Sequence, residues 1–171
     1  MTLGFYENFP MNIHRVDRFN STLSSKQLQQ KLIKVLKFIN CSEYSFEEVA
    51  NPTIPGGRVI FEFGLAESGD FNFIDDEEVK KTLSFLMKKQ LDSMDFFCSI
   101  RYYKGAGESR TSLKFDYYML RTVFGKDMLE VQVHHERGPR YISPEDLTMV
   151  IFSKVNAEST GNKKILKKAP T

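Results

Sequence analysis

Long apolar runs, clusters of cysteine and an excess of one charge are all missing from this sequence of 171 residues. No stretch approaches the roughly 20 apolar residues of a membrane-spanning helix, and the first residues lack the basic-then-apolar pattern of a signal peptide. The two cysteines, Cys41 and Cys98, are too few for the disulfide framework of a small secreted domain. We therefore expect a soluble, cytoplasmic protein with reduced thiols and no membrane partner.

The composition is that of an ordinary globular protein, with 41% hydrophobic and 27% charged residues. The net charge of +2 is too small to predict any partner, so the chain is not a polycation that must bind nucleic acid. The 15 Phe and 7 Tyr favour a β-rich core, because aromatic side chains suit a pleated, half-buried surface. We expect one domain over residues 1–156 and a flexible basic tail over residues 157–171.

Three segments show the periodicity and the start signals of amphipathic helices. Ser24 and Gln27 have the spacing of a capping box, and apolar residues follow at helical spacing from 28 to 39. Residues 75–94 begin with four acids and continue with lysines, a polarity that suits the helix dipole. A third helix is predicted over 143–155, because Ser143 and Pro144 form a strong helix start.

Alternating apolar and polar residues predict strands at 11–19 and 59–65, and three consecutive strands between 96 and 141. Short turn segments join the last three strands, which implies that they pair antiparallel. Each predicted helix has one apolar stripe, so about three helices should cover one face of the sheet. The predicted fold class is therefore α+β, with a largely antiparallel sheet and one face left open.

The open face of the last three strands is predicted to be polar. Alternation assigns to it Ser99, Arg101 and Tyr103 from the first strand, Ser112, Lys114, Asp116 and Tyr118 from the second, and Glu130, Gln132, His134 and Glu136 from the third. Aromatic rings beside Arg or Lys on an open sheet are used by some proteins to stack bases and contact phosphates. The alternative is a solvated face whose charges pair across strands and have no function.

Positive residues such as Arg137 and Arg140 are expected at the rim of this face. From the face and this basic rim we predict a binding module without a cofactor, rather than an enzyme. The predicted binding residues are Arg101, Tyr103, Lys114, Tyr118, His134, Arg137 and Arg140. The partner is a protein, a second copy of this chain, or RNA or DNA. Self-association would use aromatic residues, which are enriched at interfaces. The candidates for that role are Phe5, Phe9, Tyr102, Tyr103, Tyr117 and Tyr118.

An enzymatic alternative comes from the order helix, three strands, helix between residues 75 and 155. Asp116 lies on the middle strand, and Glu130-Val131-Gln132 lies on the next. This arrangement loosely resembles the core of nucleases in which an Asp and a Glu-x-Lys motif hold a divalent cation. The resemblance implies a metal-dependent phosphodiesterase with Asp116, Glu130 and Gln132 at its site. The chain departs from that pattern because Gln132 replaces the lysine and a closing strand is missing.

The segment His134-His135-Glu136 is the candidate for a metal site. On a strand, His134 and Glu136 share one face while His135 points to the other, so these residues need a third ligand from elsewhere. His14, Asp116 and Glu130 are the candidates for it. The sequence has neither the helical HxxxH nor the paired CxxC spacing of zinc sites, so we expect no metal.

Overall fold

One antiparallel sheet of nine strands, together with four helices, makes up the part of the chain that the computed structural model describes, residues 2–50, 56–105, 110–158 and 164–170. The strands are β1 (Arg15–Ser21), β2 (Glu43–Ser45), β3 (Gly57–Glu67), β4 (Asp70–Phe73), β5 (Ser93–Lys104), β6 (Thr111–Ser112), β7 (Asp116–Gly125), β8 (Met128–Arg137) and β9 (Leu166–Lys168). The helices are α1 (Ser25–Asn40), α2 (Phe46–Val49), α3 (Asp76–Lys88) and α4 (Pro144–Ala157). The predicted α+β class is confirmed. The sequence also predicts a loop at 51–57, where two prolines and a Gly-Gly pair interrupt regular structure, and a turn at 104–110; both lie largely outside the described residues.

The strands run in the order β2-β3-β5-β7-β8-β1-β9, with β4 beside β3 and β6 beside β5. Each pairing is antiparallel. The long strands β3, β5, β7 and β8 occupy the centre, where both edges of each strand are hydrogen-bonded. The path ends in the three-residue strands β2 and β9, and such short edges limit the backbone available for pairing with another chain.

Helices cover one face of the sheet and bury a continuous apolar core there. Leu36 of α1, Phe96 of β5 and Phe152 of α4 meet around one small internal space. Helix α3 packs against α1. The buried Gln29 side chain of α1 hydrogen-bonds the backbone of Leu91, which lies in the segment after α3. We call this side the helix-covered face and the opposite side the open face. Among the described residues, no helix has the length and apolarity required to cross a bilayer.

The helix starts follow the caps predicted from sequence. Ser24 and Gln27 form a reciprocal capping box at α1, and Asp75 accepts a hydrogen bond from the backbone of Glu78 at the start of α3. Ser143 caps α4 in the same way, with Pro144 in the first turn. Helix α3 ends at Lys88 and not near residue 94, because Met94 is a buried residue of β5.

The segment from residue 157, expected to be a flexible basic tail, contains a short strand within its described residues 164–170. Leu166–Lys168 form β9, which pairs antiparallel with β1. Ile165 and Leu166 are buried, and the Asn156 side chain hydrogen-bonds the backbone of Leu166 in both directions. Two apolar residues between lysine pairs therefore anchor the segment. Residues 159–163 and 171 lie outside the described part of the chain.

An N-terminal segment, residues 3–10, lies against the open face where β3 and β5 separate. Gly4 bridges the two strands, because its N–H donates to the Ala66 carbonyl at 2.7 Å and its own carbonyl accepts from the Asp95 N–H at 2.6 Å. A side chain is excluded at this position, since Gly4 has φ +88° and a Cβ would lie 2.9 Å from Leu91. The segment is thus fixed to the sheet at the point where β3 and β5 separate.

Candidate functional site

The predicted polar face is correct for two of the three strands. Arg101 and Tyr103 of β5 alternate with the buried Ile100 and Tyr102 and therefore lie on the open face. On β8 the alternation with Val131 and Val133 brings three predicted polar residues to the same face. These are Glu130, Gln132 and His134.

The prediction is wrong for β7, where Asp116 and Tyr118 lie on the helix-covered face and are fully buried. The reason is a break in the alternation. Ser112 of β6 pairs with Tyr103, but residues 113–115 intervene before Asp116 starts β7 and pairs with Ile100. Side chains that one uninterrupted strand would place together are therefore on opposite faces.

Asp116 is the centre of a buried polar cluster. Its carboxylate accepts hydrogen bonds from the Tyr102 hydroxyl at 2.5 Å, His135 Nε2 at 2.8 Å, and the backbone N–H groups of Arg140 and Tyr141 at 2.7 and 3.0 Å. Four donors saturate the two carboxylate oxygens, and this offsets the cost of burying the charge. The cluster is consistent with a structural role that fixes the loop after β8.

That loop packs tightly against the start of β7. Gly138 has φ +120°, and a Cβ there would lie 2.3 Å from the Phe115 carbonyl and 2.5 Å from the Asp116 carboxylate. The Tyr118 hydroxyl donates to the carbonyl of Ile142 at the end of the loop. Burial, together with the neighbouring Asp116 charge, raises the pKa of both Tyr102 and Tyr118, so the two phenols stay protonated as donors.

The two acids of the nuclease alternative do not meet. Asp116 is on the helix-covered face with its oxygens occupied, whereas Glu130 is on the open face, bound by Arg18 at 2.9 Å and by Gln132 at 2.8 Å. One cation cannot contact both carboxylates across the sheet. Nor do the described residues contain a group of three or more His, Cys, Asp or Glu side chains placed to hold a metal.

The three histidines of the chain lie near one another, but their nitrogens bond within the protein. His134 contacts the Asn12 carbonyl at 2.5 Å and the Glu136 carboxylate at 2.9 Å through its two ring nitrogens. His14 Nδ1 accepts the backbone N–H of His135, which requires an unprotonated nitrogen. Partial burial and the nearby Arg140 lower the pKa of His14 and favour that neutral form. The metal candidates His134 and Glu136 thus bind each other.

A row of five aromatic rings crosses the middle of the open face. Tyr6, Phe71, Phe97, Tyr117 and Phe115 follow one another with ring centroids 4.8, 5.7, 5.8 and 6.2 Å apart. All five side chains are partly exposed. Gly64 of β3 makes room for the row, because a Cβ there would lie 3.2 Å from the Cβ of Phe71. We call this set the aromatic row; such rings can stack on planar ligands.

Positive charge lies at the Phe115 end of the aromatic row. A groove of about 660 Å³ is lined there by Phe115, Tyr117, Lys114, Arg137 and the loop at 138–139. The Arg137 guanidinium lies 5.0 Å from the centre of the Tyr117 ring. Among the described residues, no carboxylate lies within ion-pair distance of Lys114 or Arg137. We call this the cationic groove, because both charged side chains that line it are positive.

The opposite end of the aromatic row has carboxylates nearby. A second groove of about 500 Å³ follows Phe97, Phe71 and Tyr6, with Asp70 and Glu136 on its walls. On the other side of Tyr6, a further groove of about 430 Å³ lies between Phe5 and Gly69. The N-terminal segment lies on the sheet at this point. It is held by the buried Asp95, which accepts from the Tyr6 N–H at 2.7 Å and from Arg121 at 2.8 and 2.9 Å.

The remaining predicted binding residues have different surroundings. Arg101 forms a 2.5 Å ion pair with Glu62, and the Tyr103 ring is covered by the Arg110 guanidinium at 4.1 Å. Arg140 is exposed on the loop after β8, in a left-handed conformation with φ +59°. The predicted set is therefore dispersed: Lys114 and Arg137 share a groove, whereas Tyr118 is buried.

Sequence reasoning missed Tyr6, Phe71, Phe97 and Phe115 as site residues. Their positions on four separate segments have no shared periodicity, and only the high Phe content pointed to them. The aromatic residues named for self-association divide in the same way. Phe9, Tyr102 and Tyr118 are buried, whereas Phe5, Tyr103 and Tyr117 retain exposure.

A scan of protein-family models, a search of curated proteins and a search of solved structures each found no match to this chain.

Proposed function

We propose that this chain is a non-enzymatic protein that binds single-stranded nucleic acid on the open face of its sheet. The observation that carries the proposal is the aromatic row with Lys114 and Arg137 at one end, neither of which has a carboxylate partner among the described residues. Aromatic side chains that stack on bases contribute roughly 1–3 kcal/mol per base. Single strands are favoured over duplexes because only unpaired bases can turn their flat faces toward a protein surface.

Within this proposal the two parts of the site have separate roles. Tyr117 and Phe97 contact bases, whereas Lys114 and Arg137 contact the phosphates between them. Arg137 also keeps the Tyr117 ring in place through its cation–π contact at 5.0 Å. Lys and Arg attract any nucleic acid in a salt-dependent manner, so the aromatic contacts supply the preference for single strands.

A protein partner, including a second copy of this chain, is the other class predicted from sequence. Aromatic residues with Arg are enriched at protein interfaces too. Two cations without carboxylate partners among the described residues favour a phosphate ligand over an apolar protein surface. Light scattering of the purified protein tests the second-copy alternative, which predicts a dimer that Tyr117→Ala dissociates.

The direct test is fluorescence anisotropy with a labelled single strand of about 10 nucleotides, within the size range of known single-strand sites. Tyr117→Ala should weaken binding by about 1–3 kcal/mol, the contribution of one stacked base. The matched control is Phe38→Ala, which removes an aromatic ring that is 58% exposed on α1, away from the open face. Equal affinity of the two variants, or no binding by the unmodified protein, would refute the proposal.

A further inference from the structure

We infer that the aromatic row binds a single strand in an extended form, with its bases separated from one another, and that the protein therefore prefers runs of pyrimidines to runs of purines. This inference rests on the proposed function and names the class of strand bound. Three features of the open face lead to it: the spacing of the rings, the angles between them, and the grooves on both sides of Tyr6.

The rings of the aromatic row are spaced more widely than bases in a stack. Centroids of neighbouring rings are 4.8, 5.7, 5.8 and 6.2 Å apart, whereas bases in a helical strand follow one another at about 3.4 Å. A strand that places one base on each ring must therefore lengthen along the row. Because contact between stacked bases is lost as their separation grows, this lengthening separates neighbouring bases.

The angles between the rings also exclude a preformed stack. Along the row the planes of neighbouring rings differ by 42°, 44°, 35° and 40°. Bases that lie flat on neighbouring rings are inclined to each other by similar angles, whereas the bases of a stack are parallel. Each ring therefore binds one base, and contact between ring and base replaces contact between bases.

The open face has room for such a strand on both sides of Tyr6. From the cationic groove, the row continues into the groove of about 500 Å³ at Phe97 and Phe71. Tyr6 and Asn8 line this groove and also the further groove of about 430 Å³ at Phe5. A strand longer than the row is therefore accommodated in both directions, so the protein binds a run of bases within a longer strand.

An extended form costs more for a strand that is stacked before it binds. Runs of adenine stack strongly in the free strand and runs of thymine stack weakly, and preferences for pyrimidine runs arise from such differences in stacking strength. Only the unstacked fraction is ready to bind, and the measured affinity is reduced by that fraction. If about one segment in ten is unstacked, the affinity is about tenfold lower.

The test compares strands of about 10 deoxythymidines and about 10 deoxyadenosines by fluorescence anisotropy at one salt concentration. The deoxythymidine strand should bind about tenfold more tightly. A strand of the same length without bases carries the same phosphates and should bind more weakly than either. Equal affinities for the two base-carrying strands, or tighter binding of deoxyadenosines, would overturn the inference and leave the proposed function intact. Absence of binding, or equal affinity for the strand without bases, would overturn both.

Ultraviolet absorbance measures the stacking of the bound strand directly. Bases absorb more strongly when they are unstacked, so saturating the deoxyadenosine strand with protein should raise the absorbance above that of the two free components. Unchanged absorbance would show that the bound strand keeps its stack, which contradicts the extended form.

Phe71→Ala tests whether the strand follows the row away from the cationic groove. Phe71 contacts Phe97, which contacts Tyr117 beside that groove, with centroids 5.7 and 5.8 Å apart. Loss of the Phe71 ring should weaken binding of the deoxythymidine strand roughly 5- to 150-fold, the contribution of one stacked base. Phe38→Ala, on the exposed surface of α1, should leave binding unchanged. Equal affinities of the two variants would show that the strand does not extend along the row and would overturn the inference.

Discussion

The two polar regions on either side of the loop at 138–141 differ in how completely their charges are paired. Asp116 is buried and accepts four hydrogen bonds, two of them from this loop. Lys114 and Arg137, on the other side, have no carboxylate partner among the described residues and line an open groove. Saturated hydrogen bonding stabilises the protein, whereas an unpaired charge beside exposed aromatic rings leaves capacity for a ligand. The same loop thus connects a structural cluster with a candidate binding surface.

The largest expected effect is on stability and comes from Asp116→Ala. The change leaves the Tyr102 hydroxyl, His135 and two backbone N–H groups without their acceptor. Removing one partner of a buried charged network costs roughly 3–5 kcal/mol. Urea denaturation should therefore show a large loss of free energy of unfolding. Glu130→Ala is the matched control, because it removes a carboxylate from the open face and should cost about 1 kcal/mol or less. Similar losses in both variants would contradict the distinction between the two regions.

Gly138→Ala tests the close packing of the same loop. The new Cβ would lie 2.3 Å from the Phe115 carbonyl, at a residue with φ +120°. We expect a loss of about 3 kcal/mol in unfolding free energy, near the upper end for single substitutions. Gly69→Ala separates the two causes, because Gly69 also has a positive φ, +84°, but a Cβ at that position would have no neighbouring atom within 4 Å. That control should lose only about 1–2 kcal/mol. If Gly69→Ala loses as much unfolding free energy as Gly138→Ala, the positive φ angle alone explains the effect and the close packing of the loop does not contribute.

Alkaline pH should destabilise the protein through the buried phenols. The pKa values of Tyr102 and Tyr118 are raised by burial and by the Asp116 charge above the ordinary value of 10.0. A raised pKa in the folded state means that the stabilisation is complete below pH 10 and is lost as the pH rises further. Each tyrosine then lowers the free energy of unfolding by about 1.4 kcal/mol per pH unit. Burial also raises the pKa of the Cys98 thiol above its ordinary value of 9.0. The thiol therefore lowers the free energy of unfolding in the same way as the pH rises above about 9.

Denaturation midpoints at pH 8, 10 and 11 measure this effect. In Tyr118→Phe the free energy of unfolding should fall less steeply with pH above pH 10. The difference in slope is the contribution of one phenol, about 1.4 kcal/mol per pH unit. Equal slopes in Tyr118→Phe and in the unmodified protein would show that the cluster does not hold this phenol protonated.

The smallest expected effect concerns the salt dependence of binding at the cationic groove. Removing one cation that binds a phosphate of a single strand reduces the slope of log affinity against log salt by about 0.7. Lys114→Ala should show this reduction, because its ammonium group is proposed to contact a phosphate. Lys80→Ala removes an exposed lysine from α3 and should leave the slope unchanged. A reduction of equal size in both variants would indicate diffuse attraction and no defined phosphate contact.

The parts of the fold that follow from local chemistry were predictable from sequence. Ser24, Asp75 and Ser143 cap helices through hydrogen bonds to residues three positions away, so a short segment contains the whole cause. The open faces of β5 and β8 follow from unbroken alternation. Asp116 was assigned to the wrong face because residues 113–115 interrupt the pleat, and such a break depends on how the neighbouring strand and loop pack.

The aromatic row could not be predicted, for a different physical reason. Its members come from the N-terminal segment, β4, β5, β7 and the loop before β7, and only tertiary packing brings them together. Gly64 and the Asp95–Arg121 pair make this arrangement possible from positions that have no local relation to the rings. The basic C-terminus was likewise assigned to a tail because its two anchoring apolar residues, Ile165 and Leu166, are too few to form a periodic pattern.

The most direct test of the account is to map chemical shifts by NMR during titration with a single strand of about 10 nucleotides. We predict that the largest changes occur at Phe97, Tyr117 and Arg137, with little change at Phe38, Met87 or Met149 on exposed parts of the helices. Changes concentrated on the helices, with the rings of the aromatic row unaffected, would contradict the claim that the open face is the binding surface.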